Sequence, residues 1–162
     1  MSYTPPGVAE LLRPGTGRKR LLVEASVLLC LAAALVRLVP FRRWSNRLGA
    51  PDVPAGEALR TEHVELLREV ARAVDRVNGW SGGRFTCLMQ AVAGKVMLNR
   101  RRIPNTLVLG VRTTAQAQGL GIAAHAWLNS GSVVVLGGEG HTEYTVVARH
   151  HSDPRHGGDA AA

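Results

Sequence analysis

The sequence predicts an α+β domain. Three observations carry that expectation: an unbroken apolar helix over 87–98 behind a capping threonine, two β-rich runs after it joined by a Ser-Gly pair, and helical periodicity in front of it. The helix opens on a cysteine, and the first of the two strands holds a histidine.

Taken in order, residues 1–20 hold Pro5-Pro6, Pro14-Gly15 and Gly17 around a short apolar turn, and read as a poorly structured start. Leu21 to Val39 is an apolar helix ended by Pro40, with no charge between Glu24 and Arg37. The uncharged run is shorter than the roughly 20 residues a membrane span needs, so a docked or oligomeric helix is expected first. A membrane-associated helix comes second and a secretion signal a distant third, because the basic group Arg18-Lys19-Arg20 lies late and the apolar run continues past Ala32-Ala33-Ala34. Residues 41–60 have linker chemistry, notably Gly49-Ala50-Pro51-Asp52-Val53-Pro54, so 1–58 is read as an N-terminal region and 59–149 as the core domain. Trp44 is an interface anchor or the cover of a core edge.

A second helix runs from Thr61 to about Asn78, with Val64, Leu67, Ala71, Val74 and Val77 as a core-facing stripe and Arg68, Arg72 and Arg76 as a solvated row. Gly82-Gly83 breaks the chain, Trp80 and Phe85 are expected to pack at the start of the next helix, and Thr86 caps that helix. Arg100-Arg101-Arg102 complements its negative end before Pro104 stops it. Strands are predicted over 106–113, 121–129, 132–136 and 143–148, with 114–119 a loop able to line a groove, and residues 150–162 a disordered tail with only adventitious metal affinity.

The net charge is +8 over 162 residues. Residues 1–60 hold 9 basic and 4 acidic side chains, the rest 11 and 8, so the bias is mild and spread out. Aromatics are 4% of the chain, too few for base-stacking platforms, which argues against a nucleic-acid partner. The short basic clusters beside the apolar helix suit an anionic peptide or membrane surface, or simple solubility. Cys30 and Cys87 suggest neither a disulfide framework nor a metal knuckle, so a reducing cytoplasm is the simpler setting. Gly137-Gly138-Glu139-Gly140 lacks a following helix, and no cofactor is implied.

Cys87 is the first residue of its helix, where unpaired backbone N–H groups and the positive end of the macrodipole favour thiolate over thiol. That is what a cysteine nucleophile needs. A lone cysteine is more often a small buried hydrophobe, and His125 is what shifts the balance. Strand alternation sets His125, Trp127 and Asn129 on one face and Ala124, Ala126 and Leu128 on the other.

Cys87-Leu88 opening the helix, Leu98 to Pro104 closing it, Leu107 to Arg112 as the next strand and Ala124-His125-Ala126-Trp127 together resemble the transglutaminase-like cysteine peptidases of lasso-peptide biosynthesis, the B2 leader peptidases. The match covers roughly residues 60 to 148, and the apolar helix followed by Val39-Pro40-Phe41-Arg42-Arg43 resembles that family's amino-terminal region. The resemblance implies a transglutaminase-like or papain-like core and a peptidase that frees a ribosomally made precursor from its leader. It also implies a separate leader-binding recognition-element protein and a macrolactam synthetase that closes the ring. The helix at 21–39 and Trp44 are candidate contact surfaces for the first partner. In the family the thiolate attacks, the histidine moves protons, and an aspartate on the neighbouring strand orients it. Cys87 and His125 match that pattern, whereas the aspartate has no counterpart. With Ser130-Gly131 as a two-residue turn, His125 falls opposite Leu136, and Glu139 is the nearest carboxylate if the glycines bulge. Asn129 is an amide alternative, and Glu143 lies too far along.

Two rivals stand beside leader cleavage. One is acyl transfer to an amine by the same thioester chemistry. The other is a non-catalytic basic binding module in which Cys87 is core and His125 incidental.

Overall fold

A computed structural model of the chain describes residues 16–51, 61–116 and 119–153. Among the described residues three α-helices, α1 (Thr16–Leu38), α2 (Thr61–Trp80) and α3 (Cys87–Arg100), lie against an antiparallel sheet. Its strands are β1 (Ala50–Pro51), β2 (Asn105–Gln116), β3 (Gly119–Ser130), β4 (Val133–Leu136) and β5 (Thr145–Ser152), in the spatial order β1-β5-β2-β3-β4. The fold is α+β, with the cysteine helix packed on the antiparallel sheet and an N-terminal apolar helix beside it.

One hydrophobic cluster joins all three helices to one face of the sheet. Leu21, Ala25, Leu29, Ala32 and Ala33 of α1, Leu67, Val70, Val74 and Val77 of α2, and most of α3 meet Leu107, Ala126, Leu128 and Leu136. The spacing of these positions is helical in α1 and α2, so each turns one stripe inward. The middle of α3 is buried nearly all round, as its lack of polar faces foretold. Its glycine has a packing reason: a Cβ on Gly94 would stand 2.4 Å from Leu136 Cδ1 and 3.0 Å from Leu128 Cδ2. The bare backbone there lets α3 lie close on β3 and β4.

Although α1 is long and apolar enough to cross a membrane, its inner stripe is part of this shared core. Glu24 fixes it further, accepting hydrogen bonds at 2.5 and 3.2 Å from Arg101, whose guanidinium also donates to Met97 O at the end of α3. Arg100 also pairs with Glu24 at 3.4 Å, so two residues of the arginine cluster dock a helix, beyond complementing a helix terminus. The outer side of α1 exposes Val23, Val27, Leu31 and Leu38.

Several local expectations change. Helix α1 begins at Thr16, so Arg18-Lys19-Arg20 forms its first turn and a half. Residues 41–48, read as linker, form two 3-10 turns, and Ala50-Pro51 pairs with His151 and His150 of β5. Trp44 is buried, edge-on to Phe41 at 4.8 Å, with its indole N–H donating to Val39 O. Trp80 lies at the surface instead of packing at the start of α3, while Phe85 does pack on the core. Strands β2 and β3 pair as far as Gln116 and Gly119, so most of the expected loop at 114–119 is ladder. The β3–β4 turn is Gly131-Ser132, one residue later than Ser130-Gly131, because Ser130 pairs with Val133. The tail reading fails at its start, since His150, His151 and Ser152 belong to β5. The remainder of the tail, residues 1–15 of the chain start, 52–60 of the linker and 117–118 lie outside the described residues.

Candidate functional site

The site begins at the junction of α2 and α3. The Asn78 side chain near the end of α2 accepts from Phe85 N at 3.1 Å, and its carbonyl accepts from Gly83 N at 2.9 Å. Gln90, one turn into α3, donates to Phe85 O at 2.8 Å. The Thr86 hydroxyl accepts from Met89 N at 3.4 Å, making it the N-cap. These bonds hold the Gly82-Gly83 connection so that Cys87, half-buried, is the first residue of the helix. Asn78 and Gln90 went unrecognised in the sequence because an Asn before a Gly reads as a helix stop, and a Gln inside an apolar run carries no motif.

His125 comes from β3, directly opposite Gly110 of β2. The facing pattern is as alternation requires: Ala126 and Leu128 turn into the core beneath α3, while His125 and Trp127 share the opposite face. The imidazole stacks on Trp127 with ring centroids 5.8 Å apart and lies 5.0 Å from the Tyr144 ring, over which Arg112 is placed at 4.9 Å. On its other side the sheet has ended. β4 stops at the Leu136–Leu128 pair, so β3 is uncovered at the level of His125. Gly137 follows with φ +70°, and its carbonyl stands 2.8 Å from His125 Nε2. A carbonyl only accepts, so this contact requires the proton on Nε2 and leaves Nδ1 with the lone pair.

Cys87 and His125 line the same two clefts. The larger, of about 650 Å³, continues along Asp75, Asn78, Gln90 and the Gly137–Glu139 turn. Partial desolvation raises the Asp75 carboxyl above its ordinary value, even though the residue sits at the exposed rim. The smaller, of about 330 Å³, is walled by apolar side chains. Among the described residues no hydrogen bond joins the thiol to the imidazole.

The other sequence candidates fall in different places. Glu139 is exposed in the larger cleft, two residues past the carbonyl that holds His125. Continuing the Leu128–Leu136 register would set it across from His125, but the ladder ends first. The one-residue change of turn and a bulge between Leu128 and Asn129 thus replace the expected pairing of His125 with Leu136. Asn129 shares the face of His125 but lies four residues away, about 13 Å along an extended strand. Glu143 pairs with Arg112. Among the described residues no three His, Cys, Asp or Glu side chains gather as a metal site.

The position of this cysteine helix on an antiparallel sheet, with a histidine on the next strand but one, bears on kinship. A model of the transglutaminase-like superfamily matches residues 27–149. The chain belongs to that superfamily. Its members are usually enzymes that work through a catalytic cysteine. The match starts inside α1, so it takes in part of that helix and the 3-10 turns together with the sheet. No curated protein and no solved structure matches the chain.

Proposed function

We propose that this transglutaminase-like protein is a cysteine peptidase that removes the leader from a ribosomally made lasso precursor, working with a leader-binding protein and ahead of a macrolactam synthetase. The observation that supports it most is the pairing, in one cleft, of a thiol at a capped helix N-terminus with an imidazole whose Nε2 is held by a fixed acceptor. The lasso assignment is carried by the resemblance of residues 87–104, 107–112 and 124–127 to that peptidase family.

In the proposed reaction the Cys87 sulfur attacks the scissile carbonyl carbon, and backbone N–H groups at the start of α3, that of Cys87 among them, receive the developing oxyanion. His125, having taken the thiol proton at Nδ1, returns it to the departing amine as the C–N bond breaks. Water then attacks the thioester, giving its proton to His125, and the carboxylic acid leaves as the thiol reforms. The approach of Nδ1 to the sulfur is completed on substrate binding, as catalytic contacts often are. The Gly137 carbonyl does the orienting that a carboxylate does elsewhere in the family. Glu139 adds a carboxylate to the same cleft. The outer row Val23, Val27 and Leu31 of α1 is the surface offered to the leader-binding protein, a role the buried Trp44 cannot share.

Incubation with a precursor peptide and its leader-binding protein, followed by mass analysis, tests the reading. Two fragments differing from the parent by one water, formed faster with the partner and lost in Cys87→Ala and His125→Ala, are expected. A joined product with loss of ammonia would show acyl transfer to an amine instead. No turnover, with His125→Ala leaving the rate of Cys87 alkylation unchanged, would leave a non-catalytic binding module.

A further inference from the structure

Cys87 and the strand at His125 border two clefts with opposite chemistry. The larger presents two carboxylates, Asp75 and Glu139, together with the amides of Asn78 and Gln90. The smaller presents Phe41, Leu88, Leu109, Val111, Ala124, Ala126 and Val147, and among its described lining residues none is a carboxylate, lysine or arginine. Phe41 reaches this wall from the 3-10 turn after α1, held edge-on by the buried Trp44. Leu109 and Val111 come from β2, while Val147, 58% exposed, stands at the mouth on β5. The β2–β5 register shifts between Leu109 and Gly110, both of which line this cleft.

We infer that the smaller cleft is a substrate subsite for an apolar side chain next to the scissile carbonyl, a claim that rests on the peptidase reading. Its opening onto Cys87 places an occupant within reach of the sulfur. A charged side chain would lose its hydration there and meet no partner, whereas an aliphatic or aromatic one replaces water against carbon. Burial of one such side chain favours the apolar substrate by about tenfold to a hundredfold. The carboxylates of the larger cleft draw the polar or cationic side of the same peptide, so the two clefts set the direction in which the chain lies across the thiol.

The test uses alkylation of Cys87 in the full chain, mapped by mass spectrometry so that the exposed Cys30 is counted separately. Iodoacetamide and N-hexyl-iodoacetamide are compared, each rate divided by that with glutathione. A normalised preference for the hexyl reagent of about tenfold or more is expected from burial of its chain. N-hexylacetamide should protect Cys87 against iodoacetamide, and Val147→Asp should bring the preference toward one. A normalised ratio of one in the native chain, or no protection by N-hexylacetamide, would overturn the subsite. Both of those measurements use the native chain and decide the matter even if Val147→Asp does not fold. Failure of the peptidase reading looks different: His125→Ala would then leave the iodoacetamide rate itself unchanged.

Discussion

Helix α3 carries two reactive side chains whose surroundings could hardly differ more. Cys87, at its first turn, is half-buried and opens onto two clefts. Lys95, eight residues on and about 12 Å along the axis, is 2% exposed. Its ammonium donates to Asn105 Oδ1 at 3.0 Å and to His150 O at 3.1 Å, and Asn105 is held in turn by Asn99 and by Ile103 O. Desolvation lowers the Lys95 pKa to about 7. Desolvation by burial and, after it, the positive charge of Lys95 also lower His151, which is bonded to Thr106 at 3.0 Å, while the charge of Asp153 acts in the opposite sense. A perturbed titratable group is thus found at a buried position outside the two clefts that Cys87 opens onto, and the cysteine is the residue of the pair that a substrate could reach. The lesson is that access and convergent partners, more than perturbation by itself, mark the site on this helix.

The largest expected effect is on Cys87. Under the proposed mechanism, replacement by Ala should lower leader cleavage by at least about a thousandfold, since the thiol is the group that forms the acyl-enzyme. Its thermal unfolding midpoint should stay close to that of the parent. An active Cys87→Ala, measured with the precursor, would reverse the comparison at once.

Gly137→Ala comes next. The backbone there has φ +70°, and a Cβ would stand 2.6 Å from Ala126 O, so the turn must shift and carry its carbonyl away from His125. Cleavage should fall by about tenfold to a hundredfold, most of it in kcat, as expected for loss of a positioned base. Retention of full kcat would exclude the carbonyl as the orienting group.

For Lys95 the effect is on stability. The folded pKa is below the unfolded value, so between about pH 7 and 10.4 the unfolded chain holds the extra proton. Unfolding free energy should therefore rise with pH in that window, by at most about 1.4 kcal/mol per unit. Below pH 7 the full cost of charging Lys95 is already present. His151, also lowered, should add a further loss as pH falls through its ordinary value. Lys95→Met should flatten the rise in urea titrations across this range while retaining cleavage. A flat profile in the parent would show that the ammonium is better solvated than its burial indicates.

The smallest effect is assigned to Glu139→Gln. Its carboxylate acts through space from an exposed position, so the loss should stay below about tenfold. A loss as large as that of His125→Ala would make Glu139 the orienting group and demote the Gly137 carbonyl.

Much of this arrangement was legible in the chain itself. The N-cap at Thr86, the buried character of 87–98, the two-faced alternation around His125 and the α+β class all follow from local chemistry, because helix caps and strand periodicity depend on residues a few positions apart. Composition likewise foretold the apolar helix at the front and the solvated arginine row, which meets Glu65 at the surface. What the sequence did not disclose depends on pairing across long separations. The shift of the β3–β4 turn by one residue, the bulge after Leu128 and the early end of β4 together decide that a backbone carbonyl, a group present at every residue and therefore invisible as a motif, reaches His125. The pairing of Ala50-Pro51 with β5, the anchoring of Glu24 by Arg101 and the seat of Phe41 on the cleft wall likewise join residues tens of positions apart. Residue type determined which groups can react. Only the packed sheet and helices decided which of them share a cleft, because that choice is made by register and burial summed over the whole core.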